Sequence, residues 1–451
     1  MGNNAAERKL TLAEVVALGI GGMVGGGIFA TLGLAIDTAG HAVAIGLALG
    51  GVLALLTGYA YAHLGLRFRD DGGSFTYIEH AFGSTAVAGI AGWLLVVGYV
   101  GTLALYASTF GAYGAALFVG DDGSTPWSTL LAMLVLATFL ALNLAGGKVS
   151  GRTELLIVCV KLGILAVFGV AGLAIANHDQ LLPAFDRGYG APIAASALIF
   201  VAYEGFELIP NAIQEMDDPQ SNLKRALLLS ITITMLIYVV IGAVAVANLT
   251  TSQVIENEEY ALAVAARPVF GAAGFALIGL AALLSTASAI NATLFGSARL
   301  AMVMAREHAL PTVFSMRERV RPVPWVALLV LSLLTAVFVL LADLQIIASL
   351  ASATFLLIFA GVNIAAFRLR AEIGVSGWIP LLGTLLTLGS LVVLVGHTWR
   401  SAPNNLLWIG GVYLAAIVLE GLLVLGRGHR RPAEPSGEQS DGTSTQARNR
   451  A

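Results

Sequence analysis

Gly19-Ile20-Gly21-Gly22-Met23-Val24-Gly25-Gly26-Gly27-Ile28-Phe29 lies in the middle of the first apolar run, and every other part of the chain can be placed by reference to it. Six of the eleven residues are glycine, and each costs about 1 kcal/mol relative to alanine in a helix interior. Within a bilayer every backbone group needs a partner, so a helix this weak at mid-depth predicts an interruption facing a protein-lined cavity. A half-helix starting near Gly25 would present free N–H groups and the positive end of its dipole, with no Cβ in the way. That arrangement suits an anion, and a substrate carboxylate fits. The competing reading is an intact helix whose glycines let neighbours pack closely.

Composition sets the class. Of 451 residues, 57% are hydrophobic and 11% charged, with a mean hydropathy of +0.85, far too apolar for a soluble fold. Twelve apolar runs fall near residues 12–36, 42–66, 86–118, 127–146, 154–176, 191–213, 226–248, 269–303, 324–342, 345–367, 379–397 and 405–426. The segments between them carry Lys and Arg asymmetrically: alternate loops hold only Arg187, Arg267 and Arg400, while the others hold many more. The positive-inside rule then predicts a multi-pass protein of the plasma membrane with both termini in the cytoplasm. Residues 1–11 are expected to form a short cytoplasmic N-terminus with no cleavable signal, and residues 427–451 a disordered cytoplasmic tail. The single cysteine, Cys159, excludes internal disulfides and cysteine metal sites, and its place in an apolar run predicts a buried thiol. No nucleotide loop, zinc motif or hydrolytic triad is visible. No enzyme activity, cofactor, metal or nucleic-acid partner is expected.

Runs one to five, residues 12–176, and runs six to ten, residues 187–368, can be superposed as halves of opposite topology, leaving residues 379–426 as two further helices. In the second half the expected interruption is Phe200-Val201-Ala202-Tyr203-Glu204-Gly205-Phe206-Glu207, followed by Pro210. Paired broken helices at corresponding positions point to a binding site at the membrane midplane. Glu204 and Glu207 flank Gly205 there: a carboxylate in such a cavity could meet a substrate ammonium, whereas one that accepts from freed N–H groups would hold the unwound backbone. The second role is assigned more readily to Glu207. Lys161 stands seven residues into the fifth run, too deep to snorkel easily. A charged lysine at the bilayer centre costs about 2.5–3.5 kcal/mol on insertion scales, which makes it a candidate proton carrier. Tyr99 and Tyr106 lie in the third run.

The string G-I-G-x-x-V-G-x-G-I-F of the first run resembles the signature of the amino acid–polyamine–organocation (APC) superfamily, in particular its proton-coupled amino acid permeases. Four further stretches agree in order and spacing. Gly72-Gly73-Ser74-Phe75-Thr76-Tyr77 is similar to a G-G-x-Y-x-Y loop, without the proline usual before it. Asn143 with Gly146-Gly147-Lys148 resembles an N-x-x-G turn, and Glu215-Met216-Asp217-Asp218-Pro219 an E-x-x-x-P cap. Ser285 to Ala292, with Arg299, Ala305-Arg306 and Pro311, completes the pattern.

The resemblance implies an all-α, LeuT-like fold of twelve transmembrane helices built on a 5+5 inverted repeat. It implies a secondary active amino acid transporter working by alternating access, with amino acid and lipid bilayer as partners and the proton as coupling ion. The substrate carboxylate would sit on Gly25, Gly26 and Gly27, and the ammonium near Phe200, Val201, Ala202 and Glu204. Ile20 and Tyr99 would complete the substrate site. Lys161 would take the place that a cation occupies in sodium-coupled relatives, bonded to carbonyls at Ile20 or Gly21 and to the hydroxyls of Ser285 and Ser288. An amino acid or polyamine exchanger, and a non-transporting membrane sensor of amino acids, stand as alternatives. The substrate's identity and the oligomeric state are not readable from the sequence.

Overall fold

The computed structural model describes residues 9–70, 72–120, 125–146, 151–177, 182–316 and 323–428. The expected N-terminus up to Arg8, Gly147 and Lys148 of the N-x-x-G turn, and the tail from residue 429 lie outside the described residues. The described chain is helical, with one isolated parallel bridge between Leu10 and Met216.

The first half contains α1 (Leu12–Ala39), α2 (Val43–Phe68), the short α3 (Gly73–Phe82), α4 (Thr85–Phe118), α5 (Thr125–Leu144) and α6 (Gly151–Ala174). Next come α7 (Ala191–Leu198), a string of 3-10 turns to Glu215, α8 (Pro219–Asn248), the short α9 (Thr251–Glu256) and α10 (Ala261–Arg306). The last helices are α11 (Trp325–Leu341), α12 (Leu344–Arg368), one turn of α13 (Arg370–Ile373), α14 (Trp378–Ser401) and α15 (Pro403–Gly428). Nine stretches of the described residues are long and apolar enough to cross a membrane, ten with the bent pair Ala191–Leu198 and Phe200–Glu215 counted as one span. The first stretch, 57 residues long, holds both α1 and α2, and α11 is apolar but only 17 residues long. The twelve runs are recovered when α1 and α2 are counted separately and α11 is included.

The expected interruption of the first run is absent. Helix α1 continues through Gly19–Phe29 to Ala39, and the competing reading explains why. Its glycines face different neighbours, so each missing side chain admits another element. Gly19 abuts Ser230 of α8, Gly21 abuts Glu154 of α6, Gly25 abuts Ala289 of α10, and Gly26 abuts Tyr106 of α4. Close packing on all sides offsets the poor intrinsic propensity. A capping box between Thr11 and Glu14 fixes the start of the helix. Just before it, Leu10 N–H donates to Glu215 O at 2.7 Å, and Asp217 N–H donates to Leu10 O at 2.9 Å.

The second interruption is present where Gly205 and Pro210 predict it. Beyond Leu198 the α-helix gives way to 3-10 turns at Phe200–Tyr203, Phe206–Leu208 and Pro210–Glu215, with a bend of 58°. Glu204 is extended, and Gly205 has φ 121°, a conformation that side chains disfavour. Helix α10 also changes direction, at Gly271 with φ 64° shortly after Pro268.

Helix α1 sits at the centre, against α8, α10, α6, α4 and the 3-10 segment, while α2 runs along α8, and α12 packs on α4 and α14. Helices α14 and α15 leave large apolar side chains outward, among them Leu385 and Leu407, as a lipid-facing surface requires. Cys159 belongs to such a surface. It is exposed on α6 rather than buried, because an apolar run does not say which of its faces meets lipid.

Candidate functional site

Two polar clusters lie against different sides of α1, one at Gly22 and Gly26 and the other at Gly21 and Gly25. The first is built on the broken segment. Gly205 approaches α1 so closely that a Cβ at Gly22 would stand 3.0 Å from Gly205 Cα, and one at Gly205 would stand 2.7 Å from the Gly22 carbonyl carbon. The turn is held from its own chain and from α12. Glu207 Oε2 accepts from Gly205 N–H at 2.7 Å, which is the backbone-holding role read for Glu207. Ser352 of α12 accepts from Val201 N–H at 3.0 Å and donates to Leu198 O at 2.6 Å, spanning the point where α7 ends.

Glu204 and Glu207 are both buried, and neither is in an ion pair among the described residues. Their carboxyls adjoin, with the Thr102 hydroxyl beside Glu204. Glu204 Oε1, Glu207 Oε1 and Thr102 Oγ1 lack a hydrogen-bond partner of good geometry. Glu204 Oε2 accepts from Tyr106 O–H at 3.4 Å, and Gly22 O lies 3.3 Å from the same hydroxyl. A buried carboxyl pair, one oxygen of each carboxyl left over and no cation beside it among the described residues, calls for a compensating charge, since an unpaired buried charge is costly.

The residues assigned to substrate binding meet here only in part. Gly25, Gly26 and Gly27 are inside an intact helix, so their N–H groups do not form the expected open cradle. Gly26 is covered by the Tyr106 ring: a Cβ there would overlap Cδ1 and stand 2.6 Å from Cε1. Gly27 faces Ala202, whose carbonyl oxygen would be 2.7 Å from an added Cβ. That carbonyl, expected to meet an ammonium, accepts from Tyr238 O–H at 3.0 Å, and the same hydroxyl is 2.6 Å from Met23 O. Ile20 is buried in the core. Phe200 packs edge-on against Phe359, and Tyr99 against Phe355, with ring centroids 5.7 Å apart in each pair; both belong to an aromatic cluster beside the break.

The second cluster lies between α1, α6 and α10. Lys161 is buried, with 1% of its surface exposed, and its Nζ donates to Gly21 O at 3.2 Å. Of the two carbonyls expected to receive it, the structure selects Gly21. Ser288 is in the same cluster but donates to Glu154 Oε2 at 3.0 Å. Ser285 is fully buried, with Oγ unpartnered among the described residues.

Sequence reasoning missed Glu154, Tyr238, Ser352 and Thr102. Glu154 carried a readable signal: it shares a helix face with Lys161, seven residues on. The other three are ordinary residues of apolar helices whose roles come from tertiary placement alone.

The chain matches the family model described as amino acid permease over residues 10–418. It is 34% identical to an uncharacterized protein of Methanocaldococcus jannaschii, over 92% of this chain and 94% of the relative. It is 31% identical to the inner membrane transport protein YbaT of Escherichia coli, over 93% of this chain and 96% of the relative. The serine/threonine exchanger SteT of Bacillus subtilis is 28% identical over 72% of this chain and 75% of its own length. Among solved structures, the manganese transporter of Eremococcus coleocola superposes with a TM-score of 0.60 at 15% identity, covering 93% of this chain and 94% of the other. That likeness is one of fold.

Proposed function

Since the chain belongs to the amino acid permease family, a family of membrane transporters rather than enzymes, we propose that it is a secondary active amino acid transporter, coupled to protons through Lys161 and oriented with both termini in the cytoplasm. The observation that carries this reading is the buried Lys161 amine on the Gly21 carbonyl. A protonated amine there satisfies the acceptor as a metal cation would, and ties α6 to the helix that must move.

The substrate site of this proposal lies between α1 and the broken segment. Its residues are Ile20, Gly25, Gly26, Gly27, Tyr99, Phe200, Val201, Ala202 and Glu204. In the described conformation Tyr106 fills the space over Gly26, so binding requires its ring to withdraw and α1 to open at its glycines. The glycines make that opening inexpensive, because the helix there has little intrinsic propensity to lose. The substrate carboxylate then takes N–H groups of Gly25, Gly26 and Gly27. Its ammonium goes to the side of the Glu204 carboxyl, which has oxygen to spare. Lys161, Gly21, Ser285 and Ser288 form the coupling site.

The name of the relative SteT favours a second reading, exchange of one substrate for another on the same site. Uptake of labelled amino acids and polyamines into proteoliposomes separates the two. Symport predicts accumulation under an inward proton gradient with nothing inside. Exchange predicts uptake only when the lumen is preloaded. Binding without either flux would leave a sensor.

A further inference from the structure

Glu154 and Lys161 meet the same residue of α1 from two sides. Glu154 Oε1 crowds the position that a Cβ of Gly21 would take, and Lys161 Nζ is 3.2 Å from the Gly21 carbonyl oxygen. The two residues are seven apart on α6, hence on one face, and side chains lean toward a helix N-terminus, which tips Lys161 toward Glu154. Burial falls along this line: Lys161 is buried and Glu154 is half-buried, nearer the start of α6. With the orientation proposed above, that end faces the cytoplasm.

The helices packed against α6 are α1, α10 and α8. Their charged groups toward this end are Glu14 on α1, engaged with Thr11; Arg299 and Arg306 on α10, the former over the Phe295 ring; and Lys224 and Arg225 on α8, the former over the Tyr59 ring. Among the charged groups here, Glu154 is the one that meets the same residue of α1 as Lys161. Glu154 also reaches α10, because Ser288 O–H donates to its Oε2 at 3.0 Å.

We propose that Glu154 receives the proton that Lys161 gives up on the cytoplasmic side. This step rests on the reading of Lys161 as the coupling group. An N–H bond of the ammonium breaks, its electron pair stays on Nζ, and the proton passes along the face of α6 beside Gly21 to form an O–H bond on the Glu154 carboxylate. The carboxyl then loses the proton to cytoplasmic water and returns to the carboxylate that anchors Ser288. Because Gly21 has no side chain, the Glu154 carboxyl closes on α1 beside the carbonyl that holds Lys161; a side chain at Gly21 would push it away.

The test separates proton acceptance from anchoring. Glu154→Gln keeps an oxygen for Ser288 and cannot take up a proton, whereas Glu154→Ala removes both. Initial uptake driven by an inward proton gradient should fall about tenfold or more in Glu154→Gln, in line with the loss of a positioned proton-transfer group. Exchange of labelled for unlabelled substrate at equal pH should stay close to wild type, showing a folded and binding-competent protein. If Glu154→Gln accumulates substrate at the wild-type rate with an unchanged pH profile while Glu154→Ala fails, Glu154 is an anchor for Ser288 and the proposal is overturned. Lys161→Ala is run beside it. Proton-driven accumulation that survives in Lys161→Ala overturns the coupling reading itself, whereas loss there with a normal Glu154→Gln overturns only the acceptor role.

Discussion

Gly26→Ala places a methyl group against the Tyr106 ring. The added Cβ would overlap Cδ1 and stand 2.6 Å from Cε1, while ordinary carbon–carbon contact is about 3.5–4.0 Å. The ring must therefore retreat by about 1 Å or more, which carries its hydroxyl away from Gly22 O and Glu204 Oε2, already at 3.3 Å and 3.4 Å. Overpacking of this kind costs about 1–3 kcal/mol, and two weakened hydrogen bonds add up to about 1 kcal/mol each. Against these stands about 1 kcal/mol gained by replacing glycine inside a helix. The net expectation is a loss of about 2 kcal/mol by these terms. In a Tyr106→Ala background the ring atoms that crowd the methyl group are gone, and the same substitution should stabilise by about 1 kcal/mol. A double-mutant cycle read by unfolding in mixed micelles should then show a coupling of about 3 kcal/mol between the two sites, near the upper end for residues in contact. If Gly26→Ala costs the same with and without the Tyr106 ring, the ring does not cover Gly26 and the closed state is misdrawn.

Two further perturbations probe the broken segment. Glu204→Gln should weaken binding of neutral and cationic amino acids alike by about tenfold or more, because the ammonium they share loses a charge-assisted contact of about 1.5–3 kcal/mol; unchanged affinities in a competition assay would show that Glu204 does not meet the ammonium. Tyr238→Phe strips the hydroxyl shared by Met23 O and Ala202 O. Leaving the buried Ala202 carbonyl without this donor should cost about 1–3 kcal/mol in an unfolding titration, and a change below about 0.5 kcal/mol, typical of an inert surface site, would show that this bridge does not tie α1 to the break.

What the sequence makes legible follows from how local each cause is. The second interruption is legible because Gly205, with its positive φ, and Pro210 act on their own backbone. Lys161 is legible because depth in an apolar run is a one-dimensional property, and the chemistry of the amine does not depend on which neighbour receives it. The first interruption is misread because glycine has two uses that look alike in sequence. It weakens a helix, and it admits neighbours. Which one prevails at Gly25 and Gly26 depends on Ala289 and Tyr106, hundreds or tens of residues away. The facing of Cys159 and the bridging roles of Tyr238 and Ser352 are invisible for the same reason. Neither Thr102 nor Ser352 differs in local context from many other hydroxyls in apolar helices. Glu154 is the exception, since its seven-residue spacing from Lys161 puts both on one face without any tertiary knowledge.

The coupling role of Lys161 is the central claim, and accumulation in proteoliposomes under an imposed proton gradient, with choline in place of sodium, tests it most directly. The wild-type protein should concentrate substrate under these conditions, and Lys161→Ala should not, while still exchanging labelled for unlabelled substrate across the membrane. Full proton-driven accumulation by Lys161→Ala, or collapse of wild-type accumulation on removal of sodium alone, would contradict the account.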